Sequence, residues 1–179
     1  MNIESTYSYT YQDQLHKSYK DFIMQCAPFS YFITLTFRNR QSEDESKRQI
    51  NFLLHLLKQK VLGRKSDGEY LNGFCAFEKH RSFANNELHC HILLCSHDKL
   101  DCEGKKPFSE HFYECLGKVN VQYGVLHGKD IPQVKAFAKN CCDITVIYDL
   151  DGLVSYFTKT FERNLNLDAF QPIGKYGIQ

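Results

Sequence analysis

The 179-residue chain has no Trp, only two Met and four Pro, and no apolar run long enough to cross a bilayer as a helix. The missing long run argues against a helical membrane protein. Four Pro and ten Gly are too few for a collagen-like or low-complexity chain. An excess of one charge is also missing: 22 Lys and Arg stand against 21 Asp and Glu, a formal net charge of +1. That balance excludes a polybasic protein that grips nucleic acid by bulk charge, but it leaves room for local basic surface. Gly63-Arg-Lys-Ser is too short for a Walker-type phosphate loop, so no nucleotide-driven motor is expected. The polar segment from Met1 to Gln14 lacks the apolar stretch of a signal peptide.

What is present describes a globular domain. Hydrophobic residues make up 42% of the chain, and 14 Phe and 11 Tyr supply an aromatic core. The eight cysteines (Cys26, Cys75, Cys90, Cys95, Cys102, Cys115, Cys141 and Cys142) follow no regular spacing. Cys75, Cys90, Cys95 and Cys115 lie in apolar surroundings, where a free thiol acts as a small hydrophobe. The chain therefore reads as a cytoplasmic protein with reduced thiols. No repeat or linker divides it, so residues 1–179 read as one domain, with residues 1–28 forming a peripheral helix. The chain is also compatible with being one part of a longer protein.

Periodicity predicts a helix over residues 11–27 and a strand from Ser30 to Arg38, in which Phe32/Thr34/Thr36 alternate with Ile33/Leu35/Phe37. Ser42 followed by Glu45 is a capping box opening a helix with Ile50, Leu53, Leu54, Leu57 and Val61 on one face, and Gly63 is its stop. Leu71 to Lys79 and Glu87 to Ser96 suit a hairpin. Phe108 to Leu116 reads as a short helix, residues 118–126 as strand or irregular, and Ile131 to Lys139 as a helix with Pro132 in its first turn. A strand from Asp143 to Tyr148 and a helix from about Leu153 to Arg163 complete an α+β domain with a largely antiparallel sheet.

Three short motifs carry candidate chemistry. His89 and His91 are two apart on a strand, so both imidazoles project from one face and can reach one ion. Glu78, at the end of the partner strand, is the favoured third ligand, and Glu87, which shares face parity with the histidines, is its competitor. Two imidazoles and a carboxylate suit Mn²⁺ or Mg²⁺, with Zn²⁺ or Co²⁺ as further occupants. Tyr156 and Lys159 are three apart, hence neighbours on one helix face, and Asp149 and Asp151 stand where the cap of that helix belongs.

Each motif occurs readily by chance; their order is what informs. An apolar strand with Thr, then His-x-His, then Tyr-x-x-Lys on a late helix resembles the HUH endonuclease superfamily, specifically the replication initiators of rolling-circle plasmids and viruses. Here the motifs are Phe32-Ile-Thr-Leu-Thr-Phe37, with Thr34 and Thr36; His89-Cys-His91; and Tyr156-Phe-Thr-Lys159. The likeness runs from about residue 30 to 163, with Cys90 replacing an apolar residue between the histidines. It implies a ferredoxin/RRM-like antiparallel sheet of about five strands with flanking helices. It also implies a metal held by His89, His91 and Glu78, and a Tyr156 nucleophile assisted by Lys159. The expected partner is single-stranded DNA at a replication origin, with unwinding left to a host or fused helicase.

Position 160 is Thr, so a single-tyrosine enzyme is expected, with Tyr148 the nearest spare on the preceding strand. Arg38, Arg40, Lys79, His80 and Arg81 cluster at predicted strand ends and are candidates for DNA-backbone contact. Competing readings are a single-tyrosine transposase or relaxase of the same superfamily, a non-catalytic RRM-like binding module, and a metal hydrolase that does not act on DNA.

Overall fold

The computed structural model describes residues 11–38, 42–64, 68–79, 88–100, 106–121, 134–163 and 170–176. Helix α1 (Tyr11–Gln25) precedes strand β1 (Phe29–Phe37), which leads into α2 (Glu43–Val61). Strands β2 (Gly73–Lys79) and β3 (Leu88–Cys95) are followed by α3 (Phe108–Leu116). Short strands β4 (Asn120–Val121) and β5 (Val134–Lys135) pair with each other, and β6 (Phe137–Val146), α4 (Leu150–Arg163) and β7 (Phe170–Ile173) complete the chain. The main sheet is antiparallel throughout, in the order β6-β1-β3-β2-β7. Without α1 and β7, this is a β-α-β-β-α-β unit of ferredoxin-like connectivity, and β7 extends its β2 edge.

Local signals account for several boundaries. The Ser42 hydroxyl accepts the Glu45 N–H at 3.2 Å, capping α2 as the capping box predicts. The Glu45 carboxylate does not return that bond in the usual way: it accepts from Arg48 at 2.8 and 2.6 Å and from Gln49 at 2.7 Å. Gly63 follows the helix with φ +95°, a backbone angle that costs glycine nothing and most residues about 1 kcal/mol or more. Asp149 caps α4 by accepting the Gly152 N–H at 3.1 Å, whereas Asp151 pairs with Lys20 of α1 at 2.8 Å.

The predicted helix from Ile131 to Lys139 is corrected: residues 134–135 belong to β5 and residues 137–139 open β6. Helical propensity lost to sheet pairing, because Phe137 pairs with Phe37 and their rings meet at 5.2 Å, tilted by 30°. Strand β6 consequently begins six residues before the predicted Asp143 start and ends at Val146, leaving Tyr148 beyond it. The fifth strand of the main sheet is β7, a segment for which no strand was expected; of the described residues in 118–126, Asn120 and Val121 form β4, which pairs with β5 in a separate sheet.

The two faces of the sheet carry separate cores. Ile33, Leu35, Phe37, Cys75, Cys90, Ile92 and Leu94 pack with Ile50, Leu53 and Leu57 of α2 and with Phe108 and Phe112 of α3. On the other face, Phe32, Phe74, Leu93 and Phe170 pack with Ile23 of α1 and with Val154 and Phe157 of α4. The N-terminal helix thus buries Ile23 completely and braces α4. Its polar side adds bonds from His16 to Thr158 at 2.8 Å and from Lys20 to Ser155 at 2.9 Å. Among the described residues, Cys26, Cys75, Cys90, Cys95, Cys115 and Cys142 are free thiols, and no helix is long and apolar enough to cross a membrane.

Candidate functional site

The α4 face of the sheet changes character along its length. Across one level run Thr145, Phe32, Leu93, Phe74 and Pro172, mostly apolar and partly roofed by α1 and α4. The next level reads Asp143, Thr34, His91, Ala76 and Phe170. The level after that reads Thr36, His89 and Glu78. Period-2 alternation puts these side chains on one face, and antiparallel register sets them side by side. The opposite face of the same strand positions holds Leu35, Cys90 and Phe77, all buried. Cys90 therefore points into the core, away from the histidines, with its thiol 3.1 Å from that of Cys75.

His91 is the centre of the polar region. The residue is 6% exposed; its ring stacks on Phe32 at 5.5 Å and 9° and meets the Tyr156 ring edge-on at 5.8 Å. Its Nδ1 lies 3.1 Å from the Thr34 hydroxyl, and its Nε2 faces Glu78 Oε2 at 3.3 Å. Burial lowers its pKa, only partly opposed by the Glu78 carboxylate, so the ring favours the neutral form that can donate a lone pair to a metal. His89, half-buried one level along, has its Nδ1 2.8 Å from the Thr36 hydroxyl.

Helix α4 brings Tyr156 to this point. Strand β6 ends with Val146 opposite Tyr31, and the chain then returns across the sheet as α4. Val154 and Phe157 are buried beneath the helix, so Tyr156 projects at its margin, 49% exposed. It touches both Phe32, at 6.2 Å, and His91. Lys159 lies one turn further along α4. Tyr148, 92% exposed, stands before the helix begins.

The predicted residues fall into three groups. His89, His91, Glu78, Thr34, Thr36 and Tyr156 come together on one face. Arg38 follows β1 and is exposed, its N–H bonded to the Ala136 carbonyl at 2.8 Å. Lys79 ends β2, whereas Arg40, His80, Arg81 and Glu87 lie outside the described residues. Two contributors were not foreseen. Phe32 supports both the His91 and Tyr156 rings, and Asp143 sits directly across from Thr34, on the site's face. The alternation of β1 marked Phe32 as sharing a face with Thr34, but the Asp143 pairing depends on a β6 register that no local signal reveals.

Among the described residues, no three His, Cys, Asp or Glu side chains are gathered tightly enough to hold an ion as they stand. The donor chemistry nevertheless fits a divalent cation. One imidazole already faces a carboxylate, the second follows on the same strand face, and hydroxyls occupy Nδ1 of both rings. Comparison with protein-family models, curated proteins and solved structures found no match to this chain.

Proposed function

We propose that this chain nicks and rejoins single-stranded DNA through a covalent 5′-phosphotyrosine at Tyr156. Its role would be to initiate rolling-circle replication of a plasmid or virus. The observation that carries this reading is the meeting of Tyr156 with His91, while His91 itself faces Glu78 and shares its strand face with His89. Three motifs far apart in sequence thereby converge on one end of one sheet face.

The residues match the needs of the reaction. A phosphodiester resists attack because its anionic oxygens repel a nucleophile. A divalent cation held by His89, His91 and Glu78 would supply positive charge beside those oxygens. Tyr156 Oη would form the new bond to phosphorus as the bond to the 3′-oxygen breaks, and the departing strand takes a proton to end in a 3′-hydroxyl. The phosphotyrosine ester conserves the energy of the broken link, so a 3′-hydroxyl can later attack it, reform the DNA strand and restore the phenol. The 49% exposure of Tyr156 leaves its ring accessible to a strand, and Phe32 backs it from below. Lys159, one turn on, is assigned to favour the tyrosinate or to offset phosphate charge.

A non-catalytic RRM-like module is less well supported. Such modules stack bases on the open face of their sheet, but here α1 and α4 cover the apolar part of that face. The test is a denaturing gel of the protein incubated with origin-bearing single-stranded oligonucleotides and Mn²⁺. A covalent protein–DNA band that disappears with EDTA and with Tyr156→Phe is expected. Cleavage that survives Tyr156→Phe would place the nucleophile elsewhere, and complete absence of an adduct would favour the binding-module reading.

A further inference from the structure

Both histidines of the His-x-His strand are engaged at the same ring atom by the same kind of partner. Thr34 and Thr36 alternate along β1 in step with His91 and His89 along β3, and each hydroxyl meets the Nδ1 of the histidine across from it, at 3.1 and 2.8 Å. A hydroxyl can either give a hydrogen to an imidazole nitrogen or take one from it through the same oxygen. That versatility matters at His91, whose other nitrogen faces a group that only accepts when ionised. Facing a carboxylate Oε2 at 3.3 Å, a neutral His91 ring is best satisfied by the tautomer with its hydrogen on Nε2, in which Nδ1 accepts from the Thr34 hydroxyl.

Resting on the metal-centre reading above, we infer that Thr34 and Thr36 are positioning residues that hold Nδ1 of each histidine and keep Nε2 as the atom offered to the cation. With an ion on Nε2 of His91, the ring proton would sit on Nδ1, and the Thr34 hydroxyl would accept it instead of donating. The balance is simple: one proton changes nitrogen, one hydroxyl rotates, and no net charge is gained or lost. Valine, of the same shape, can do neither. Serine can do both. The apolar-Thr strand is therefore part of the site through the histidines it holds, without a bond of its own to the ion.

Mn²⁺ binding to the full chain without DNA, followed by the electron paramagnetic resonance of the free ion, tests this directly. Thr34→Val and Thr36→Val should each weaken binding by about 10- to 100-fold, the usual loss when a histidine ligand loses its supporting hydrogen bond. Thr34→Ser and Thr36→Ser should bind close to the unaltered chain, which separates a lost hydroxyl from lost packing. In the metal-free protein, the ¹⁵N spectrum of the His91 ring should show the hydrogen on Nε2. Thr34→Val should move the Nδ1 signal towards that of an unbonded imine nitrogen. Adding Zn²⁺ to the unaltered chain should transfer the hydrogen to Nδ1. Full-strength Mn²⁺ binding by both Val variants would overturn the positioning role while leaving the metal-centre reading in place. Failure of the unaltered chain to bind Mn²⁺ would remove that reading, and the inference with it.

Discussion

On β1, Ile33, Leu35 and Phe37 face α2 and α3, whereas Phe32, Thr34 and Thr36 face the side of α4. The first set is apolar from end to end and covered by two helices. The second is apolar at one end, under α1 and α4, and polar at the other, where the histidines and Glu78 stand. One face therefore spends its whole length on burial, at about 1.5–3 kcal/mol for each large side chain. The other gives up part of that burial to keep hydrogen-bonding groups within reach of solvent. Stability and chemistry are thus separated by the pleat of the sheet, and substitutions on the two faces should fail in different ways.

The largest effect is expected on the open face. On the proposed mechanism, Tyr156→Phe should reduce adduct formation by at least about a thousandfold, because it removes the oxygen that would bond to phosphorus. It should leave the melting temperature nearly unchanged, since the ring is half exposed. Gel assay and thermal melt together check both halves, and a large loss of stability would blur the division between the faces. Phe112→Ala, in the middle of the covered face and fully buried, should show the reverse pattern. Urea unfolding should reveal a loss of about 3–5 kcal/mol, with nicking per folded molecule preserved.

Smaller effects sharpen the same contrast. Removing the α2 cap by Ser42→Ala should cost about 1 kcal/mol, measurable by the same unfolding and silent in Mn²⁺ binding. The smallest effect concerns pH. Glu114 of α3 accepts from Lys60 of α2 and from Lys106, and these two ammonium groups hold its pKa down to about 2, from an ordinary 4.5. A lowered folded-state pKa means that the ion pairs stabilise above the unfolded-state value and that this contribution fades as pH falls from about 4.5 towards about 2. Melts of the protein and of Glu114→Gln should therefore differ slightly at neutral pH and converge in acid. Added salt should narrow the gap, because the site is on the surface.

How far these features could be read beforehand varied with their range. Strand β1 and helix α2 were legible because alternation and capping are local, and the parity of Thr34, Thr36, His89 and His91 follows from a period of two. Residues 134–139 were misread because Pro132 and the spacing of apolar residues suit a helix, while the pairing of Phe137 with Phe37 lies a hundred residues away in the chain. The strand β7 was missed because it is only four residues long and draws its pairing from β2. Asp143 was visible as a strand residue, but its place beside Thr34 depends on register, which the neighbouring strand sets.

The sequence alone determined which residues alternate, where the main helices begin, and that two imidazoles must leave the same strand face. Each is a matter of backbone geometry within a few residues. Only the tertiary structure decided that Glu78 reaches His91, that Thr34 and Thr36 hold the two Nδ1 atoms, and that Tyr156 arrives beside His91. Those meetings join β1, β2, β3 and α4. They depend on sheet order, on the register of each strand pair and on the path of α4 back across the sheet, which the buried Ile23, Val154 and Phe157 hold in place.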